Sequence, residues 1–341
     1  MSETLLEARG LSKHFPITRG LLRSRVIGEV KAVDEVSFSI NKGETFSLVG
    51  ESGCGKTTAA NLILLLHSLT HGEIRYRDQS LAGLSSGGRK AFSRHVQAVF
   101  QDPYSALNPR IRVGNIVGEP MQVHGYGRQD RLRRIQQTLK AVDLPDGSER
   151  KFPHEFSGGQ RQRIGIARAL TMDPELIVLD EPVSNLDVSI RSQILNLLKD
   201  IQRDRGISYF LISHDMASVE YMSHQIGVMY LGRLVERSNA EDVTNHPLHP
   251  YTATLVAAAT PPGRTPPWQL PIIGEVPSPL DIPPGCAFHT RCLYVMPVCR
   301  EVRPDLTAVE PHKWVACHLY PDKIHSIDKT NPTAGDVGAG G

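Results

Sequence analysis

Gly50-Glu51-Ser52-Gly53-Cys54-Gly55-Lys56-Thr57 places three glycines, a lysine and a hydroxyl at the spacing of a phosphate-binding loop. Glycines let successive backbone N–H groups face one concavity, which suits phosphate oxygens. Lys56 supplies a cation for the β- and γ-phosphates, and Thr57 a hydroxyl for Mg²⁺. Gly50, Ser52, Gly53, Gly55, Lys56, Thr57 and Thr58 form the expected nucleotide-binding set. Further on, the run Leu-Ile-Val-Leu-Asp180-Glu181 ends in two carboxylates. Asp180 suits the surroundings of Mg²⁺, and Glu181 suits polarising a water that attacks the γ-phosphate. Ser157-Gly158-Gly159-Gln160 begins a second helical run and offers another anion site at a helix N-terminus. One chain needs only one γ-phosphate cradle, so this second site asks for another explanation.

Short apolar runs must carry these groups. Val36–Ile40, Thr45–Val49, Leu176–Leu179 and Tyr209–Ile212 read as strands, and the unbroken ones suit a parallel sheet buried on both faces. Helical runs follow at Thr58–Leu66, Gln160–Leu170 and Val188–Arg205, the last ending at Gly206. Val228–Arg237, with Gly232 inside it, reads as a hairpin. Strands alternating with helices predict an α/β fold.

The 341 residues carry 38 Lys+Arg and 36 Asp+Glu, a net charge of +2, which argues against nonspecific nucleic-acid binding. No apolar run approaches the ~20 residues that span a bilayer, and no secretory signal is visible, so a cytoplasmic chain is expected. Sixteen of 24 prolines and both tryptophans lie after residue 240. The expected organisation is a regular body over 1–240, a loop-rich appendage over 241–325 and a disordered tail over 326–341.

With these motifs the body resembles the ATP-binding-cassette family over roughly residues 5–240. Ser157–Gln160 matches the family's signature motif, which caps ATP held by the other subunit of a head-to-tail pair. The resemblance implies a nucleotide-binding domain with a RecA-like core, an antiparallel β subdomain and a helical subdomain over about 102–165. Gln101 matches the glutamine that senses Mg²⁺ and links to the membrane subunit. His214 matches the switch histidine at the γ-phosphate. Ser184–Asp187 matches the D-loop, with Asn185 where alanine is common, and Phe15 stands where an aromatic stacks on adenine. The resemblance thus implies catalytic roles for Glu181, His214 and Gln101, Mg²⁺ at Thr57 and Gln101, and Asp187 at the nucleotide interface.

The appendage, with Pro284-Gly-Cys-Ala-Phe-His-Thr-Arg-Cys292 and the insert at Arg19–Val26, resembles the C-terminal region and insert of ATPases from oligopeptide and dipeptide importers. The likeness is to the second ATPase subunit of such systems. It implies a distinct sister ATPase, two membrane permease subunits, a substrate-binding protein and a place on the cytoplasmic face of the inner membrane. Cys286, Cys292, Cys299 and Cys317 fit neither a zinc-finger nor a common ferredoxin spacing, and by count suit a [4Fe–4S] cluster or Zn²⁺ equally. Importers of the resembled group carry a cluster here, so a [4Fe–4S] centre is expected, with Zn²⁺ or no metal as alternatives. The expected function is an ATPase driving import. The competing reading is a soluble cassette ATPase acting on nucleic acid or ribosomes.

Overall fold

The computed structural model describes residues 3–19, 25–102, 106–259 and 274–320. The tail over 326–341 and most of the arginine-bearing insert lie outside the described residues. Two sheets organise the chain. The smaller holds β2 (Arg25–Asn41), β1 (Thr4–Arg19), β4 (His71–Tyr76) and β5 (Gln79–Ser80), in that order and antiparallel. The larger runs β11 (Thr307–Glu310), β12 (Lys313–Val315), β10 (Arg233–Asn239), β9 (Gln225–Tyr230), β3 (Thr45–Val49), β8 (Ser208–Ser213), β7 (Leu176–Asp180) and β6 (Val96–Val99).

The strands from β9 through β3, β8 and β7 to β6 are parallel. Every residue of β3, β7 and β8 is buried, as unbroken apolar strands in a covered parallel sheet must be. β2 instead alternates, with Val36, Phe38 and Ile40 turned inward. Phe38 stacks on Phe46 at 4.6 Å and on Phe210 at 5.2 Å, joining the two sheets.

The helices are α1 (Lys56–Ile63), α2 (Ser86–His95), α3 (Val113–Val123), α4 (Arg128–Ala141), α5 (Gly158–Leu170), α6 (Val188–Arg205), α7 (Met216–Met222), α8 (Ala240–Asn245), α9 (Pro250–Ala259) and α10 (Pro297–Glu301). α6 has the expected bounds. Ile194, Leu197, Leu198 and Ile201 form its buried stripe, and the Gly206 N–H closes it on the Gln202 carbonyl at 2.8 Å. α3 and α4 pack with α5 around Val117, Met121, Leu139 and Ile164.

The C-terminal region is more closely joined to the body than its proline content suggests. β12 pairs with β10 through Glu236–Val315 and Arg237–Trp314, so residues after 300 extend the sheet that carries the phosphate loop. The Arg237 guanidinium lies 3.8 Å from the centre of the Trp314 ring.

Candidate nucleotide site

The phosphate loop spans the gap between β3 and α1. A Cβ at Gly50 would lie 2.2 Å from the Met229 carbonyl oxygen, and one at Gly55 would lie 2.0 Å from that of Ala32. Gly55 also has φ 110, a region that L side chains avoid. Close backbone approach on both sides therefore fixes the cradle. Lys56 is buried, and its Nζ donates to the Gly50 carbonyl at 2.7 Å, to that of Glu51 at 2.9 Å and to the Cys54 sulfur at 3.7 Å. Sulfur is the weakest of these acceptors, and a phosphate oxygen would replace it with gain. Burial raises the Cys54 thiol pKa, so Cys54 sits in the loop as a small neutral side chain.

The Thr57 hydroxyl lies 3.4 Å from Asp180 Oδ1, which joins the loop to the end of β7. Burial first, then the neighbouring Glu181 charge, holds the Asp180 carboxyl above the ordinary carboxylate range. A divalent cation at this place would reverse that balance. Hydroxyl and carboxylate oxygens are the donors Mg²⁺ takes, so the residues present fit it. Bound there, Mg²⁺ supplies positive charge against the phosphate oxygens.

Glu181 follows β7 in a left-handed conformation, φ 48, with its N–H held by the Ile212 carbonyl at 2.9 Å. This aims its carboxylate at two side chains from distant segments. Gln101 Nε2 donates to Glu181 Oε2 at 2.9 Å, and His214 Nδ1 lies 3.2 Å from the same oxygen. Three residues proposed from separate motifs thus meet at one carboxylate. Such a group can accept a proton from water, while the amide and imidazole hold it in place.

Ser157 caps α5: its hydroxyl accepts the Gln160 N–H at 3.4 Å, and the Gln160 side chain accepts the Ser157 N–H at 3.1 Å. A Cβ at Gly159 would lie 2.5 Å from Ile190 Cγ2, and one at Gly158 would meet Leu186 at 3.7 Å. The Ser-Gly-Gly turn is therefore pressed against the start of α6, beside Asp187, the residue that precedes that helix. Among the described residues, neither Ser157–Gln160 nor Asp187 hydrogen-bonds to residues 50–58 of its own chain. Phe15, on β1, is half-buried, with His67 at its edge and Lys13 Nζ 5.1 Å from its ring centre.

Two residues of the site's surroundings escaped the motif reading. Arg291 reaches both carboxylate oxygens of Glu51, at 2.7 and 2.9 Å, and the Tyr251 hydroxyl accepts the Glu51 N–H at 2.8 Å. The one local sign in sequence was an acidic residue inside a phosphate loop.

Fold and site together define an ATP-hydrolysing cassette: the chain belongs to the ABC transporter family, whose pattern matches residues 33–184. Residues 235–299 match the family described as the oligopeptide/dipeptide transporter C-terminal region. The oligopeptide transport ATP-binding protein AppF of Bacillus subtilis is 46% identical, over 93% of this chain and 98% of its own. The dipeptide transport ATP-binding protein DppF of Escherichia coli is 42% identical, over 90% and 92%. A dimeric ATP-binding cassette in a post-hydrolysis state bound to ADP and Pi superposes with a TM-score of 0.60 at 25% identity. That match covers 69% of this chain and 99% of the other. The chain is thus an ABC transporter ATPase, which excludes the reading of a soluble ATPase acting on nucleic acid or ribosomes.

The iron–sulfur expectation is corrected. Burial, then the neighbouring cysteines, raises the thiol pKa of Cys286, Cys292 and Cys317. Yet among the described residues no group of three or more His, Cys, Asp or Glu side chains is placed to hold a metal ion. The relatives' names carry transport and ATP binding alone. Burial pushes the Cys286 thiol up to about 11 and that of Cys317 up to about 12, which leaves them neutral. Cys299 is buried, and Cys286 and Cys292 pack on the core beneath them. The [4Fe–4S] centre was expected from the resembled importers, with Zn²⁺ as its alternative by thiol count, in a region read as an appendage. The region is not separate: strand pairing at β12 and Phe288 in the shared core, in contact with Tyr230 and Tyr251, hold it to the body.

Proposed function

We propose that this chain is the energy-coupling ATPase of an importer for di- or oligopeptides, paired head to tail with a distinct sister ATPase. The observation that carries the reading is the convergence of Gln101 and His214 on Glu181, next to Lys56, Thr57 and Asp180, in a chain with the C-terminal region of peptide transporters. In this reading Gly50, Ser52, Gly53, Gly55, Lys56, Thr57 and Thr58 cradle the triphosphate. Thr57, Gln101 and Asp180 attend Mg²⁺, Phe15 stacks on adenine, and Glu181 polarises the water that His214 helps to place. Ser157, Gly158, Gly159, Gln160 and Asp187 serve the nucleotide of the opposite subunit. Their separation from the chain's own loop supports this division.

Two permease subunits and a substrate-binding protein complete the system, with the ATPase at the cytoplasmic face of the cell membrane. Among the described residues no helix is long and apolar enough to cross a membrane, so attachment through a partner is the natural arrangement. A groove of about 500 Å³ beside Gln101, lined by Leu64, Leu66, Phe92, Phe100 and Val123, supports it. Leu66 and Val123 are each 60% exposed there, which suits a docking helix from the permease. Copurification from membranes tests the reading. Recovery with two polytopic proteins and a second ATPase is expected, as is peptide uptake that fails when Glu181 is replaced. Recovery without membrane proteins would overturn it.

A further inference from the structure

We propose that Arg291 is a positioning residue that acts through Glu51: by neutralising its carboxylate, the C-terminal region sets how tightly the phosphate loop takes MgATP. Glu51 is the second residue of the loop, and each of its polar groups is committed. Its carbonyl accepts from Lys56 at 2.9 Å, its N–H donates to the Tyr251 hydroxyl at 2.8 Å, and its carboxylate takes both arms of Arg291. Two of these three partners come from beyond residue 250, in the region that carries no nucleotide motif. The Arg291 side chain is 3% exposed and that of Glu51 22%, so the pair is poorly screened by water.

The surroundings of Arg291 are built to hold it. Its Nη1 lies 3.4 Å from the Tyr230 hydroxyl, and its guanidinium lies 5.7 Å from the Phe288 ring centre and 5.9 Å from that of Tyr230. Tyr230 ends β9, the strand beside β3, so one aromatic cluster of Tyr230, Tyr251 and Phe288 braces both the arginine and the loop. The bond to Glu51 keeps the guanidinium fully protonated.

The chemistry gives this arrangement a purpose. A bare carboxylate in a loop that receives a triphosphate repels it, and in a partly buried site that repulsion is weakly screened. A bidentate guanidinium cancels the charge and fixes the backbone beside it. Lysine at the same place would keep the charge but lose the fork.

The test measures MgATP binding by the full-length chain in equilibrium titrations, beside KM and kcat of the assembled complex. Arg291→Gln is expected to raise Kd for MgATP roughly tenfold and to raise KM with little change in kcat, because the repulsion acts on bound nucleotide. Arg291→Lys should fall between this variant and wild type. Adding Glu51→Gln to Arg291→Gln should return Kd to within about twofold of wild type, since no lone carboxylate remains, whereas a purely structural defect would not be rescued. An unchanged Kd in Arg291→Gln, or a double variant no better than the single, overturns the proposal. If Arg291→Gln does not fold, Glu51→Gln alone decides: a severalfold lower Kd supports charge cancellation, and an unchanged or raised Kd overturns it. The inference rests on nucleotide binding at this loop. A wild-type chain that fails to bind MgATP would count against that binding, not against the pairing.

Discussion

Gln101 and Glu181 are joined side chain to side chain at 2.9 Å, with Gln101 Nε2 donating to Glu181 Oε2. A residue two past the end of β6 thereby holds the residue after β7, and His214 after β8 closes on the same oxygen. Three adjacent parallel strands each deliver one polar group to one point. This is the usual place for chemistry in an open α/β sheet, beyond the carboxyl ends of the strands.

Replacing Glu181 by Gln keeps the side chain's shape and removes the proton acceptor. MgATP binding should persist, because Lys56 and Thr57 are untouched. Turnover in the assembled complex should fall by at least ~100-fold, the scale of a lost general base. Equilibrium binding and phosphate release measured on the same preparation check this. Turnover within a fewfold of wild type would rule out the assigned role.

Ser157→Arg probes the opposite subunit. The hydroxyl caps α5 through Gln160, and the serine lies apart from its own phosphate loop. A bulky cation here should lower hydrolysis at the site whose loop belongs to the sister ATPase. Silencing this chain's own site with Glu181→Gln isolates the effect. Undiminished phosphate release from the remaining site would contradict the head-to-tail arrangement.

Gly55→Ala is expected to damage the cradle. The new Cβ would meet the Ala32 carbonyl at 2.0 Å in a backbone conformation that costs ~1–3 kcal/mol for an L residue. Loss of measurable MgATP binding and a lowered unfolding midpoint should appear together. Gly125→Ala is a control for left-handed backbone alone, since Gly125 has φ 80 with open space around it. It should lower the midpoint and spare binding.

Glu236 gives a pH signature. It is fully buried, and its carboxylate accepts the backbone N–H groups of Leu248 and His249 ahead of α9. Burial outweighs these bonds and the Lys313 charge, so its carboxyl is pushed up to about 7 from 4.5. Burial also pulls His249 down to about 3, so that ring stays neutral through the range that matters. A carboxyl harder to ionise in the fold than in the unfolded chain stabilises the fold while protonated. That contribution is full below about 4.5 and is lost as pH rises through about 7. Glu236→Gln should therefore gain on wild type by about 2 kcal/mol between pH 5 and pH 8. Denaturant unfolding at both pH values reads the difference, and a pH-independent gap would contradict it.

How much of this was legible in sequence depends on range. β3 and α6 have their expected bounds because an apolar run, helical spacing and Gly206 are local signals. The nucleotide motifs were legible because phosphate chemistry dictates residue types at short spacing. The roles of Gln101, Glu181 and His214 came with the family resemblance, but their meeting depends on the sheet order, which only the fold shows. Glu236 gave no sign of its burial, since nothing near it in sequence marks the return of β12 to the edge of β10. The Glu51–Arg291 pair joins residues 240 apart, and no periodicity encodes such a contact. The cysteines misled for the same reason. Their count was visible, but their packing on a shared core was not.

The pairing of β12 with β10 also governs how the protein is made. Residues leave the ribosome in order, so β3, β7, β8, β9 and β10 are all available before β12 has been synthesised. Until Trp314 and Val315 arrive opposite Arg237 and Glu236, the outer edge of β10 is an open row of backbone donors and acceptors. Such an edge pairs with whatever strand is nearest, including that of another nascent chain. A message cut short after residue 245 would encode every nucleotide motif and still yield a polypeptide prone to aggregate. The last strands act late in synthesis as a cover for the sheet, and quality control would meet this ATPase first at that edge.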